Sequence, residues 1–80
     1  ANESTIIVLI KPQFEAKKYE LKKGVIKDIL IHKRICREIK KWFEVDCNCH
    51  IEGIIESPIK GPKGNIEFLL IAKYQKKRKQ

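Results

Sequence analysis

Nine residues, Ser57 to Asn65, constrain this chain more than any other stretch, because they force it to reverse direction. Pro58, Gly61, Pro62, Gly64 and Asn65 crowd that segment. Proline fixes φ and glycine admits φ > 0, which is turn chemistry. The apolar run after the turn is therefore antiparallel to the run before it. Beyond the turn, Ile66, Phe68, Leu70 and Ala72 alternate with Glu67, Leu69, Ile71 and Lys73. Both sets are apolar except at their ends, the pattern of a strand covered on two sides. A carboxylate at the head of such a strand, Glu67, is either a rim residue or a working one.

The other elements follow from simpler signals. Thr5 to Lys11 is β-branched and apolar on successive residues and reads as a buried strand that Pro12 ends. Lys11 then sits at the tip of that strand, the edge where open α/β sheets bind ligands; taken alone it reads as a snorkelling strand-end lysine. Gln13 to Lys27, with Lys17, Lys18, Lys22, Lys23, Lys27 and Gly24, shows little periodicity and reads as a long loop with at most one short turn. Its lysines suit phosphate contacts as well as they suit a solvated connector. Asp28 fits an N-cap, and Ile31, Ile35, Ile39 and Trp42 or Phe43 recur at helical spacing, predicting one amphipathic helix over Ile29 to Glu44. Ile51 to Glu56 is the second strand.

Assembled, these make an α/β unit: a three-stranded mixed sheet in the order first, third, second, with the third strand antiparallel and central and one main helix on one face. A right-handed crossover makes the first two strands parallel. Lys11 and Glu67 then arrive at the same edge on neighbouring strands. One helix covers only one face, so the second face must meet either the rest of a larger α/β protein or a second copy of the chain. A start at Ala1 rather than methionine agrees with a fragment. Residues 1–73 are expected to form the folded portion and residues 74–80 a basic, flexible tail.

Lysine and arginine number 18 against 10 acidic residues, a net charge of +8 that favours a polyanionic partner, nucleic acid before membrane surface. The three cysteines are an odd count, and no signal peptide or apolar run of about twenty residues is present. This predicts a reduced, cytoplasmic setting. Cys47, Cys49 and His50, with Cys36 and His32 elsewhere, invite a metal reading. The one-residue spacing without a second pair argues against it, so no metal ligand is assigned.

Three segments in order, VLIKPQFEA, then GVIKD with His32 four residues on, then ESPIKGPKGNIEFLL, resemble the C-terminal portion of the hemolysin A (TlyA-type) proteins, members of the FtsJ-like ribose methyltransferases. The similarity spans Ile6 to Ala72. It implies the end of a Rossmann-type domain whose last strand is an inserted antiparallel one, preceded in such proteins by an S4-like RNA-binding region. It also implies methyl transfer from S-adenosylmethionine to a ribose 2′-hydroxyl of ribosomal RNA through a Lys-Asp-Lys-Glu tetrad. In that scheme Lys11 is the second lysine and Glu67 the final glutamate, while Lys17, Lys18, Lys60, Lys63 and Asn65 are expected RNA contacts.

Lys17 and Ile29 depart from the family pattern, which often has glycine and proline there. No glycine-rich loop opens a helix in this chain. The resemblance therefore implies that the S-adenosylmethionine pocket and the other two tetrad members lie upstream, that these residues bind no cofactor and are inactive alone, and that the partners are ribosomal RNA and the upstream half of the same protein. Two competing classes are an RNA-binding module without catalysis and a membrane-lytic protein. Nothing in the sequence spans or lies on a bilayer.

Overall fold

The computed structural model describes residues 3–75, with only the backbone of Gln75. In chain order it contains β1 (Glu3–Ile10), a short helix α1 (Pro12–Glu15), a 3-10 turn (Lys18–Glu20), α2 (Ile29–Val45), β2 (Cys49–Glu56), a second 3-10 turn (Pro62–Gly64) and β3 (Phe68–Gln75). The strand order is β1-β3-β2, as the turn and the two-sided third strand predict. Both ladders are antiparallel, β1 with β3 from Glu3↔Gln75 to Ile10↔Phe68, and β2 with β3 from Cys49↔Tyr74 to Glu56↔Phe68. The expected mixed sheet is corrected on this point. β1 and β2 do run parallel, but β3 lies between them and takes all their hydrogen bonds.

α2 forms where the apolar spacing places it. The Asp28 side chain accepts from the Leu30 N–H at 2.9 Å, satisfying one of the unpaired amides of the first turn. One helix face carries Ile35, 1% exposed, onto the sheet, where it joins Ile10, Ile26, Cys49, Leu70 and Ala72 in the core. Phe43 packs at the margin of this core, whereas Trp42 is half exposed and meets the Phe43 ring edge-to-face at 4.9 Å.

Two stretches differ from the sequence reading. The loop over Gln13 to Lys27 contains α1, the first 3-10 turn and an isolated bridge between Lys22 and Val25. Elements this short leave no periodic trace. β3 continues through Tyr74 and Gln75, which pair with Ser4, Cys49 and Glu3, so the sheet reaches past the expected boundary at residue 73. The rest of the basic tail, 76–80, lies outside the described residues.

The sheet is covered on one face. Directly paired residues of neighbouring strands share a face, which places Ile7 with Ile71, and Leu9 and Ile55 with Leu69, on the side away from α2. Ile7 is 66% exposed, Leu9 46% and Ile55 53%.

Candidate functional site

The last pair of the β1–β3 ladder is Ile10↔Phe68, so Lys11 and Glu67 occupy the next positions on adjacent strands, at one sheet edge. The convergence expected from the sequence is present. Their side chains, however, take different partners. The Lys11 ammonium lies 5.5 Å from the centroid of the Phe14 ring, a cation–π arrangement. Glu67 is 5% exposed, and its Oε2 accepts a hydrogen bond of 2.8 Å from Nε2 of Gln13. Among the described residues no Lys11–Glu67 ion pair forms.

Local structure explains the difference. Pro12, itself fully buried, starts α1 right after β1. Gln13 is thereby turned inward beneath the rim, and Phe14 outward, where it is 70% exposed. From the other side, the 57–65 turn closes over the carboxylate. The Ser57 N–H donates to the Glu67 carbonyl and the Gly61 N–H to the Asn65 carbonyl, each at 2.8 Å. Gly61 then lies directly against the Glu67 side chain: a Cβ placed on Gly61 would overlap Oε2, with Cδ 2.7 Å away and Gln13 Nε2 at 3.1 Å. Its backbone, φ −79° and ψ −171°, is open to any residue. Space, not φ, is what requires glycine there.

Of the five residues expected to contact RNA, Lys17, Lys18, Lys60 and Lys63 are exposed. Asn65 is a correction. It is 2% exposed, its Oδ1 accepts from the Ile26 N–H at 3.1 Å, and its Nδ2 donates to the carbonyls of Gly24 at 2.9 Å and Pro62 at 3.0 Å. The side chain fastens the turn to the loop before α2 and has no face left for a ligand. Lys63 belongs to the same junction, its Nζ donating to the Lys23 carbonyl at 3.3 Å.

Glu20 ties the Lys17 backbone to α2. That carboxylate accepts from Arg34 of α2 at 2.5 and 2.9 Å and from the Lys17 N–H at 2.9 Å. The Arg34 hydrogen bond first, and then that of Lys17, hold the Glu20 carboxyl at about 2 against an ordinary 4.5. Two exposed aromatic rings lie on this same stretch, Phe14 and Tyr19, the latter 79% exposed. His32 is buried, 4% exposed, with its ring edge-to-face on Phe68 at 5.7 Å. The three cysteines are free; Cys49 is in the core at the start of β2, and burial pushes the Cys36 thiol up. Gln13 and Gly61 escaped the sequence reading. A glutamine in PQFEA carries no chemical signal by itself, and a glycine between prolines reads as turn punctuation.

No protein-family model matches the chain. It is 41% identical over 64 residues to "Hemolysin A" of Brachyspira hyodysenteriae, a match covering 79% of this chain and 26% of that protein. It is 37% identical over 68 residues to "Putative rRNA methyltransferase YqxC" of Bacillus subtilis (strain 168), covering 84% of this chain and 24% of that protein. Among solved structures, a "putative hemolysin" from Streptococcus thermophilus superposes with a TM-score of 0.83 at 32% identity, over 94% of this chain and 27% of that one. One from Lactococcus lactis gives 0.86 at 32% identity, over 96% of this chain and 36% of the other. The chain spans about a quarter of the length of the curated relatives it matches.

Proposed function

Starting from a chain related to the hemolysin A (TlyA-type) proteins, we propose that it works as part of a longer ribosomal RNA 2′-O-ribose methyltransferase, to which it contributes Lys11 and Glu67. The observation that carries this reading is the arrival of these two residues, 56 positions apart in sequence, at one sheet edge, with the carboxylate held buried beside it. A ribose hydroxyl is a poor nucleophile, and an amine that removes its proton as the methyl group arrives makes it a better one. Lys11 supplies that amine once it leaves the Phe14 ring, and Glu67 orients it. A nearby carboxylate also favours the ammonium form, so a second cation must face Lys11, and the rest of the longer protein supplies it. The described residues offer no glycine-rich loop to hold S-adenosylmethionine. The cofactor, which provides the methyl group, is therefore bound elsewhere in the longer protein.

The open sheet face supports the same reading. Ile7, Leu9 and Ile55 form an apolar surface of the kind that packs against protein, and its occupant is the remainder of the same protein rather than a second copy. Exposed Lys17, Lys18, Lys60 and Lys63, with the exposed rings of Phe14 and Tyr19, combine phosphate-neutralising charge with stacking surfaces suited to unpaired RNA. Such an enzyme works in the cytoplasm.

The test is methyl transfer to ribosomal RNA by the full-length protein. Lys11→Ala and Glu67→Gln are each expected to lower the rate by about 10²-fold or more with RNA binding kept; a full rate in either variant sinks the assignment. The 80 residues alone are expected to transfer nothing. RNA binding by the full-length protein without any transfer would favour the second reading, a binding module, which the exposed lysines also suit. No helix among the described residues is long and apolar enough to cross a membrane, and leakage from liposomes caused by the chain would support a lytic role instead.

A further inference from the structure

We infer that Gln13 and Gly61 are positioning residues that hold the Glu67 carboxylate in its working place, an inference that rests on the catalytic reading of Glu67 above. Three observations converge on it. Glu67 is 95% withdrawn from solvent, since only 5% is exposed, and its one side-chain hydrogen bond among the described residues comes from Gln13 Nε2 at 2.8 Å. The Gln13 Oε1 is itself buried and finds no donor. A buried amide with one end unmatched is a poor arrangement for stability; it makes sense where the other end holds something that must not move. Finally, Gly61 takes a backbone conformation open to any residue, yet a single Cβ there would run into the carboxylate and crowd the Gln13 amide. The socket therefore has a floor, Gln13 from the strand-end helix α1, and a wall, Gly61 from the turn. Together they leave the carboxylate one position, at the edge where Lys11 emerges.

A working carboxylate needs such a partner because small displacements are costly, about 10²-fold in rate for a shift on the order of 1 Å. A neutral amide also constrains it without adding the counter-charge that would compete with Lys11 for it.

The experiment uses single-turnover methyl transfer by the full-length protein, with separate saturation by RNA. Gln13→Met keeps the length and removes the donor, and is expected to lower kcat by about 10²-fold with KM for RNA unchanged. In a Glu67→Gln background the same substitution is expected to cause no further loss, because Gln13 acts through Glu67. Gly61→Ala should reproduce the kcat loss, while Gly53→Ala, whose Cβ would meet nothing within 4 Å, serves as the control. Gln13→Met is the arm that decides if Gly61→Ala does not fold. A full rate for Glu67→Gln would overturn the catalytic reading. A lost rate for Glu67→Gln with a full rate for Gln13→Met would overturn this inference alone. So would an equal loss for Gln13→Met in both backgrounds.

Discussion

The two faces of β3 are written in nearly the same chemistry and meet opposite fates. Toward α2 it presents Phe68, Leu70 and Ala72, of which Leu70 and Ala72 are fully buried. Away from α2 it presents Leu69 and Ile71, bordered by Ile7, Leu9 and Ile55, all three exposed by 46% or more. Alternation reports which residues share a face. It does not report whether anything lies on that face, because the covering element comes from elsewhere in the chain or from another chain.

The largest difference between the faces should appear on truncating their centres. Leu70→Ala is expected to cost about 2–5 kcal/mol, read by urea denaturation, since Leu70 packs under α2 with no exposure. A loss as small as that of a surface substitution would mean that the covered face is not the core. Next comes the junction that holds the turn against the covered side. Asn65→Ala leaves the Ile26 N–H and the Gly24 carbonyl without their side-chain partner and should cost about 1–3 kcal/mol. If it lowered only RNA affinity, leaving stability untouched, Asn65 would be a contact residue after all.

A smaller effect should follow from pH through Glu20, which ties the loop to α2. Because its folded-state value is about 2 against 4.5, its contribution is complete above pH 4.5 and is lost as pH falls toward 2. Amide protection between Lys17 and Lys27, taken relative to the intrinsic exchange rate at each pH, should therefore fall in that window before protection in β3 does. A simultaneous fall in both would mean that the tie serves the whole fold.

The smallest effect belongs to the open face. In the isolated chain Ile7→Ala is expected to change stability by about 0.5 kcal/mol or less. A larger loss that grows with protein concentration would show a second copy seated there. In the full-length protein the same substitution should cost several times more, since the proposal has the rest of that protein cover the face; an equally small cost there would count against that occupant.

Much of this architecture was legible in the residues. Helical spacing predicts Ile29 to Glu44 and the helix is Ile29–Val45, because an apolar stripe that recurs along seventeen residues behind an aspartate cap is a strong local signal. The prolines and glycines of 57–65 specify the reversal, and with it the antiparallel third strand. The elements of 12–20 were not legible, being too short to repeat. Asn65 misled because turn chemistry states a backbone preference and says nothing about where the amide points. Lys11 and Glu67 were brought to one edge, but nothing in the sequence named the partners they take there, the Phe14 ring and the Gln13 amide.

Sequence alone determined the reversal and the helix, since each depends on neighbours along the chain, and the two-sided apolar pattern of the third strand then set the strand order that brings two charged positions to one border. Only the tertiary structure decided that the carboxylate's partner is an amide 54 positions away and that one apolar face stays open. Both outcomes turn on which surfaces come into contact across the fold, a matter of shape and distance that no local pattern carries.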